Sequence, residues 1–294
     1  MAIDVASTKA KTVVNAQPWD AAAAGWNQHT DLIHHWLYDI TQTMLDDAHI
    51  GPGLRVLDVA AGAGDQTLDI ARRIGPTGWV LATDLSPGIL ALAQKNATAA
   101  GLLQVSTRVT DAQALGLAGS DFDAAVCRLG LMFCRSPLAA LLEIRAALKP
   151  QGRVTALVFG RAEHNPCLTI TLGAARKHAG LVAAPTMQAN RVDSPGTLMS
   201  LGKPGLQGQL LQSAGFVDVT TRYVSAPFHA ASAEQYIEFL RASALPVIEI
   251  LAPLPPAAKQ DAWCDITDQL KVFSTPLGWV GPNELLQCVA ASPG

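Results

Sequence analysis

The sequence predicts an α/β fold built on a parallel sheet covered on both faces, and three observations predict it. Short aliphatic runs alternate with helical stretches over residues 54–159. Ser-Pro pairs start helices there, and Gly or Pro stops them. The first aliphatic run leads directly into a glycine turn that opens a helix. Strands alternating with helices at this spacing need helical crossovers, which places helices on both sides of the sheet.

Residues 54–60 (LRVLDVA) are the first strand, a short buried-type run. Gly62, Gly64 and Asp65 follow, and Leu68, Ala71 and Ile74 mark one face of a helix that Gly75-Pro76 ends. Residues 79–83 are the second strand. Ser86-Pro87 supplies an N-cap and a first-turn proline for a helix that runs to about residue 100 and stops at Gly101. Residues 105–109 and 123–127 are the third and fourth strands. Ser136-Pro137 caps a helix through Leu141, Ile144 and Leu148, Lys149-Pro150 closes it, and residues 153–159 are the fifth strand.

Beyond Phe159 the rhythm changes. Residues 161–207 carry Pro166, Pro185, Pro195 and Pro204 with only patchy helical patterning. Residues 209–214 form a helix stopped by Gly215, and residues 216–224 a strand. Residues 232–242 and 257–273 are helices around a proline-rich step at 253–256, and residues 285–290 are a last strand. The chain divides into a flexible tail (1–17), an N-terminal helical cap (18–50), a ligand-binding core (51–160), a lid insertion (161–208) and a C-terminal part of the sheet (209–294). A second helical insertion interrupts this last part at about 229–276. The lids hold Met187, Met199, Leu201, Phe239, Leu240, Leu245, Ile248 and Leu251, the makings of a mainly apolar acceptor pocket.

Composition excludes several classes. Charged residues are 15%, below the roughly 25% of ordinary soluble domains, and hydrophobic residues are 49%. Such a chain is neither disordered nor, with no run of about 18 uncharged apolar residues, membrane-spanning. The net charge of −3 offers no basic excess for nucleic acid. Cys127, Cys134, Cys167, Cys264 and Cys288 are odd in number and contain no CxxC pair, against a disulfide framework and a zinc site. The polar start lacks an apolar leader core, so a cytoplasmic protein is expected.

The chemistry centres on Val56-Leu57-Asp58-Val59-Ala60-Ala61-Gly62-Ala63-Gly64-Asp65, a strand running into a glycine turn at a helix N-terminus. Glycine permits close approach of backbone to ligand, and the helix start offers free N–H groups. Asp84 ends the second strand 20 residues past Gly64, the spacing at which an acid meets ribose hydroxyls. A dinucleotide fingerprint needs a third glycine where Thr67 stands. Asp58 would repel a pyrophosphate, whereas it suits an ammonium group. S-adenosylmethionine has an amino acid end, a ribose and an adenine, and no phosphate.

These residues resemble the class I S-adenosylmethionine-dependent methyltransferases, and within them the ubiquinone/menaquinone-biosynthesis-type small-molecule enzymes. VLDVAAGAGD is similar to the first family motif, with Ala60 where glycine is commoner. ATDLS, Thr110-Asp111-Ala112, residues 122–128 (FDAAVCR) and residues 142–153 (LEIRAALKPQGR) resemble four further motifs in the right order. The resemblance covers about residues 26–159 well and 209–224 loosely. It implies a Rossmann-like doubly wound seven-stranded sheet of order 3-2-1-4-5-7-6, last strand antiparallel, with helical lid insertions. It also implies roles: Ala60, Gly62 and Gly64 line the methionine half of the cofactor, Asp58 faces its ammonium end, and Gln66 and Thr67 reach its carboxylate. Asp84 binds the ribose, Leu85 packs on the adenine, Asp111 and Ala112 read its amino edge, and Arg128 and Leu129 lie beside the sulfonium. Trp26 belongs to an N-terminal helix folding over the cofactor. Asp111 can equally cap a turn.

Methyl transfer from a sulfonium is an in-line displacement, so a general base is needed only if the acceptor keeps its proton. Of seven histidines, His29, at the mouth, and His164, after the fifth strand, are the catalytic candidates. Enzymes that methylate exocyclic amines of bases carry Asn/Asp-Pro-Pro-aromatic where this chain has Cys127-Arg128-Leu129-Gly130. Metal-dependent catechol enzymes have Asp at the Arg128 position, so no metal is expected. The expected partner is a small planar or apolar acceptor, with no nucleic acid and no membrane span; a homodimer is compatible. Alternatives are an S-adenosylmethionine-binding cyclase, lyase or pericyclic catalyst, a nicotinamide-dependent oxidoreductase, and a non-catalytic binding module.

Overall fold

The structure is a computed structural model that describes residues 17–117, 119, 121–181 and 196–294. The expected tail up to residue 16, Pro185, Met187 and Pro195 lie outside these described residues.

The punctuation read from the sequence does its work locally. α1 (Gln17–Gln28) and α2 (Thr30–Asp47) precede β1 (Arg55–Val59). α3 (Asp65–Ile74) starts after Gly64, whose φ of +91° only glycine adopts without penalty, and β2 (Trp79–Asp84) follows. α4 (Pro87–Ala99) is capped by Ser86, whose Oγ accepts the Ile89 N–H at 3.0 Å. β3 (Val105–Val109) and β4 (Phe122–Arg128) come next. α5 (Pro137–Ala147) repeats the device through Ser136, which accepts from the Ala139 N–H at 3.3 Å. β5 (Leu148–Phe159) begins five residues before the predicted strand. Leu148 already pairs with Phe122, and the register slips before Ala124 meets Arg153, so the Lys149-Pro150 turn rides within the strand as an irregularity.

The remaining elements are α6 (Pro166–His178), α7 (Leu206–Ser213), β6 (Val217–Ser225), β7 (Phe228–Ala230), α8 (Ala233–Ser243), α9 (Leu245–Leu251), α10 (Pro256–Leu270), β8 (Ser274–Thr275), β9 (Gly278–Gly281) and β10 (Glu284–Ala291). The main sheet has the order β3-β2-β1-β4-β5-β10-β6. β1 to β5 pair in parallel and β10 runs antiparallel to both β5 and β6. With β10 its seventh strand, this is the predicted order with the last strand antiparallel.

The region 229–276, read as a helical insertion, also holds strands. β7, β9 and β8 form a separate three-stranded antiparallel sheet. Its strands are two to four residues long, too short for period-two alternation to register in the sequence.

Two layers meet above the main sheet. Val56, Leu57, Val80, Ala125, Val126 and Leu157 are buried in it, and Leu37, Met44 and Leu45 of α2 close one face. Aromatic rings connect that layer to β7, α8 and β9. Trp36 lies 5.2 Å from Phe228, Phe228 5.3 Å from Phe239, and Tyr236 stacks on Trp279 at 4.4 Å. Trp279 is wholly buried, and its indole N–H reaches the Leu270 carbonyl at 2.7 Å. Among the described residues no helix is long and apolar enough to cross a membrane.

Trp279→Ala removes the ring that pins β9 to α8 and α10. Its expected cost is about 3–5 kcal/mol of stability, read from urea unfolding. A cost under 1 kcal/mol would show that the small sheet does not depend on it.

Candidate functional site

The sheet order reverses between β1 and β4, which lie side by side at its centre. Chains leaving two such strands diverge, and the crevice at their carboxyl ends is where open α/β sheets bind ligands. The backbone there is unusual. Ala60 (φ +56°), Gly62 (φ +58°), Gly64 (φ +91°) and Leu129 (φ +57°) all adopt left-handed conformations. For Ala60 and Leu129 that costs about 1–2 kcal/mol each, strain of the kind concentrated at functional sites. The Ala60 methyl fills the space beside Gly130, where any added Cβ would lie 2.3 Å away from it.

Four carboxylates converge on this turn. Asp84 accepts the Gly62 N–H and the Ser86 N–H, each at 3.0 Å. Burial raises its pKa above the ordinary carboxylate value, and the backbone hydrogen bonds oppose that. Asp111 accepts the Gln113 N–H at 2.8 Å and so caps the 3-10 turn Ala112–Ala114. Asp65, the first residue of α3, pairs with Arg128 at 2.6 Å and with His34 at 2.8 Å. Arg128 also donates to the Thr41 hydroxyl at 2.7 Å, which ties β4 to α2. Asp58 is fully buried behind the turn and accepts from the Thr67 hydroxyl at 2.5 Å and from the Gln66 amide. Desolvation pushes its pKa up to about 7, against the pull of those two hydrogen bonds and of Arg128.

Trp26, Ala60, Gly62, Gln66, Asp84, Leu85, Asp111, Ala112, Arg128 and Leu129 line one cavity of about 250 Å³. Asp58, Gly64 and Thr67 stand behind its wall. A Cβ on Gly64 would sit 3.0 Å from the Ala93 methyl, so this glycine lets α3 approach α4. His29 precedes α2 with its ring edge-on to Phe239 at 5.6 Å. His164 lies near the surface, its Nδ1 3.2 Å from Glu284 Oε2. Neither histidine is in the wall. Of the residues expected in the acceptor pocket, Phe239 and Leu240 of α8 and Leu245 of α9 line the cavity, whereas Met199, Leu201 and Leu251 are buried in the core and Ile248 is half-buried.

Sequence reading missed Trp19, Trp36, Asp65, Gln113, Phe133, Phe159, Phe228, Tyr236 and Asn283, all in the wall. Asp65 carried a signal, since an acid opening a helix at a glycine turn faces whatever the turn binds. The aromatics carried none, because their convergence is tertiary.

The cavity has two chemical ends. The end at the glycine turn holds Asp65, Asp84 and Asp111, and its one cation, Arg128, is already neutralised by Asp65. No lysine lines it. This end suits hydroxyls, an amino edge and positive charge, and it opposes a pyrophosphate. The other end is apolar, with Trp36, Phe159, Leu168, Phe228, Phe239 and Leu245. α1 is tied down across the start of α4, where Asp20 accepts the Gly88 N–H at 2.9 Å and the Ser86 hydroxyl.

Residues 56–152 match the family model described as a methyltransferase domain. The chain is 33% identical over 147 residues to the ubiquinone/menaquinone biosynthesis C-methyltransferase UbiE of Bordetella parapertussis, covering 50% of this chain and 57% of that protein. It is 31% identical over 154 residues to the protein of the same name from Burkholderia cenocepacia, covering 52% and 62%. The chain thus spans less than two thirds of the length of these curated relatives. Among solved structures, it superposes on the [4+2]-cyclase SpnF with a TM-score of 0.55 at 16% identity, covering 94% of this chain and 96% of that one. It also superposes on a Haemonchus contortus phosphoethanolamine N-methyltransferase 2 in complex with S-adenosyl-L-methionine, with a TM-score of 0.55 at 15% identity, covering 91% and 57%. These two likenesses concern the fold alone.

Two outcomes follow from the geometry. Gly130→Ala forces a methyl against that of Ala60 and is expected to cost about 1–3 kcal/mol; adding Ala60→Gly should restore most of it. Strictly additive effects in urea unfolding would refute the contact. Asp58 has a native pKa above its unfolded value, so the unfolded chain releases that proton first. Stability therefore falls as pH rises from about 4 to about 7. Unfolding midpoints followed over this range should show Asp58→Asn without that component, a difference of roughly 3–5 kcal/mol. Equal pH slopes in both proteins would contradict the buried, protonated carboxyl.

Proposed function

We propose that this protein transfers a methyl group from S-adenosylmethionine to a small, planar or apolar organic acceptor, at carbon, oxygen or nitrogen. The observation that carries the reading is the two-ended cavity: an acid-lined, phosphate-averse end at the glycine turn continues into an aromatic one. The methyltransferase domain model over residues 56–152 supports it.

The residues present fit the cofactor. Asp84 takes the ribose hydroxyls, Leu85 packs on the adenine, and Asp111 with Ala112 reads its amino edge. Ala60, Gly62 and Gln66 hold the amino acid end, and Arg128 and Leu129 lie beside the sulfonium. Asp58 fixes Gln66 and Thr67 from behind, Gly64 sets the approach of α3, and Trp26 closes the cavity from α1. Bound there, S-adenosylmethionine supplies an activated electrophilic methyl group. The chain's own contribution is to align the acceptor and keep water out. With His29 and His164 outside the wall, no base is assigned, and an acceptor already nucleophilic at neutral pH fits best.

The nicotinamide reading is disfavoured by three carboxylates facing the cavity and by Thr67 in place of the third glycine. We place the enzyme in the cytoplasm, acting without nucleic acid, as a monomer or homodimer. The low net charge supports the absence of nucleic acid, and the five free cysteines support a reducing compartment.

Titration calorimetry should show micromolar binding of S-adenosylhomocysteine and none of NAD. Asp84→Ala should weaken the former by about 1–3 kcal/mol, the cost of unpairing buried hydrogen-bonding groups. Unchanged affinity would mean that the ribose is held elsewhere. Incubation with methyl-labelled cofactor and a host extract separates transfer from lysis, since label found only in methylthioadenosine would rule out methyl transfer.

A further inference from the structure

The apolar end of the cavity contains polar side chains whose hydrogen-bonding state sorts them into two groups. Thr30 donates to the Asn27 carbonyl at 2.8 Å, and Ser243 to the Phe239 carbonyl at 2.6 Å. Both hydroxyl protons are consumed by nearby backbone carbonyls. Tyr236 and Asn283 differ. Both line the cavity and both are more than nine-tenths buried, with residue exposures of 2% and 5%. The Tyr236 ring is fixed between Phe228 at 5.0 Å and Trp279 at 4.4 Å, and its hydroxyl has no protein partner among the described residues. Asn283 spends one amide hydrogen on the Gly281 carbonyl at 3.3 Å, and its side-chain oxygen has no protein partner among the described residues. Its backbone carbonyl accepts from the Ala226 N–H at 2.9 Å, which holds the residue in place.

The two residues belong to one corner. Asn283 lies between β9 and β10, and Gly281 at the end of β9 pairs with Phe228, the ring against which Tyr236 packs. Neither the Tyr236 hydroxyl nor the Asn283 amide oxygen is wholly enclosed by protein, so each is open to a group that enters the cavity. A donor and an acceptor held rigidly in an aromatic wall are the arrangement by which a mostly apolar site fixes ligand orientation. Among the described residues the charged ones that line the cavity are Asp65, Asp84, Asp111 and Arg128, all at or just beyond the carboxyl ends of β1 to β4.

We propose that Tyr236 and Asn283 are specificity-determining residues that hydrogen-bond an oxygen carried by an uncharged, planar, apolar acceptor. This rests on the methyltransferase reading above. The Tyr236 hydroxyl donates to that oxygen, and the Asn283 amide oxygen accepts from it when it is a hydroxyl. Burial raises the Tyr236 pKa, so it stays a donor across the physiological range and does not act as a base. A site built to pair a hydroxyl rejects the analogue lacking it far more strongly than it rejects a missing methylene.

The test uses 1-naphthol and naphthalene as probes, titrated into the full chain saturated with S-adenosylhomocysteine. The expected result is that 1-naphthol binds at least tenfold more tightly than naphthalene. Tyr236→Phe and Asn283→Leu should each cut that preference at least threefold, with naphthalene affinity, S-adenosylhomocysteine affinity and melting temperature little changed. Equal binding of the two probes, binding of neither, or variants that lose both probes in parallel would each overturn the proposal. Failure of S-adenosylhomocysteine itself to bind would instead overturn the underlying methyltransferase reading.

Discussion

The site hangs from one contact, the approach of Ala60 at the end of β1 to Gly130 just past β4. These strands are neighbours at the point where the sheet order reverses, and their following segments must diverge within a few residues. Left-handed backbone at Ala60 and Leu129 produces that divergence. It turns the Gly62 N–H toward Asp84, and it lets the Leu129 N–H reach the Leu157 carbonyl of β5 at 2.7 Å. The methyl of Ala60 is accommodated because residue 130 has no side chain. Conformational strain at two residues is thus offset by the packing of the sheet beneath them.

Electrostatics then divides the cavity. A chain with 24 acids and 21 bases has little charge to spare, yet three carboxylates face this turn and a fourth lies behind it. Each is held by partners that differ in kind. Asp84 leans on backbone N–H groups, Asp65 on Arg128 and His34, and Asp58 on two side chains of α3. The Arg128 link to Thr41 carries this network into α2, so α2 and the glycine turn are mechanically joined. β7 and α8 supply the opposite chemistry, with rings that close an apolar end.

The main sheet was legible because its signals are local. Aliphatic runs, Ser-Pro caps and glycine stops each depend on a few neighbouring residues, and Asp84 could be found by counting from Gly64. The start of β5 was not, because a turn containing Lys149-Pro150 reads as a break while pairing with β4 overrides it. The β7-β9-β8 sheet was not, because strands this short owe their existence to burial of Phe228 and Trp279 and carry no period of their own. In the site, Ala60, Gly62, Asp84 and Asp111 were readable from motif positions. Phe228, Tyr236 and Asn283 were not, since they meet only through the tertiary packing of β7, α8 and the β9–β10 connection. Asp111 caps a turn, one of the two roles weighed for it, and it also lines the cavity. The two histidines had chemistry in their favour, but position decides: His29 packs on Phe239 and His164 on Glu284.

The central claim is that the crevice between β1 and β4 holds an adenosine-bearing ligand through Asp84. A crystal structure of the complex with S-adenosylhomocysteine tests it most directly. The expected density places the ribose hydroxyls on the Asp84 carboxylate and the adenine between Leu85 and Ala112. Density for the ligand elsewhere, with Asp84 still engaged only by Gly62 and Ser86, would contradict the account.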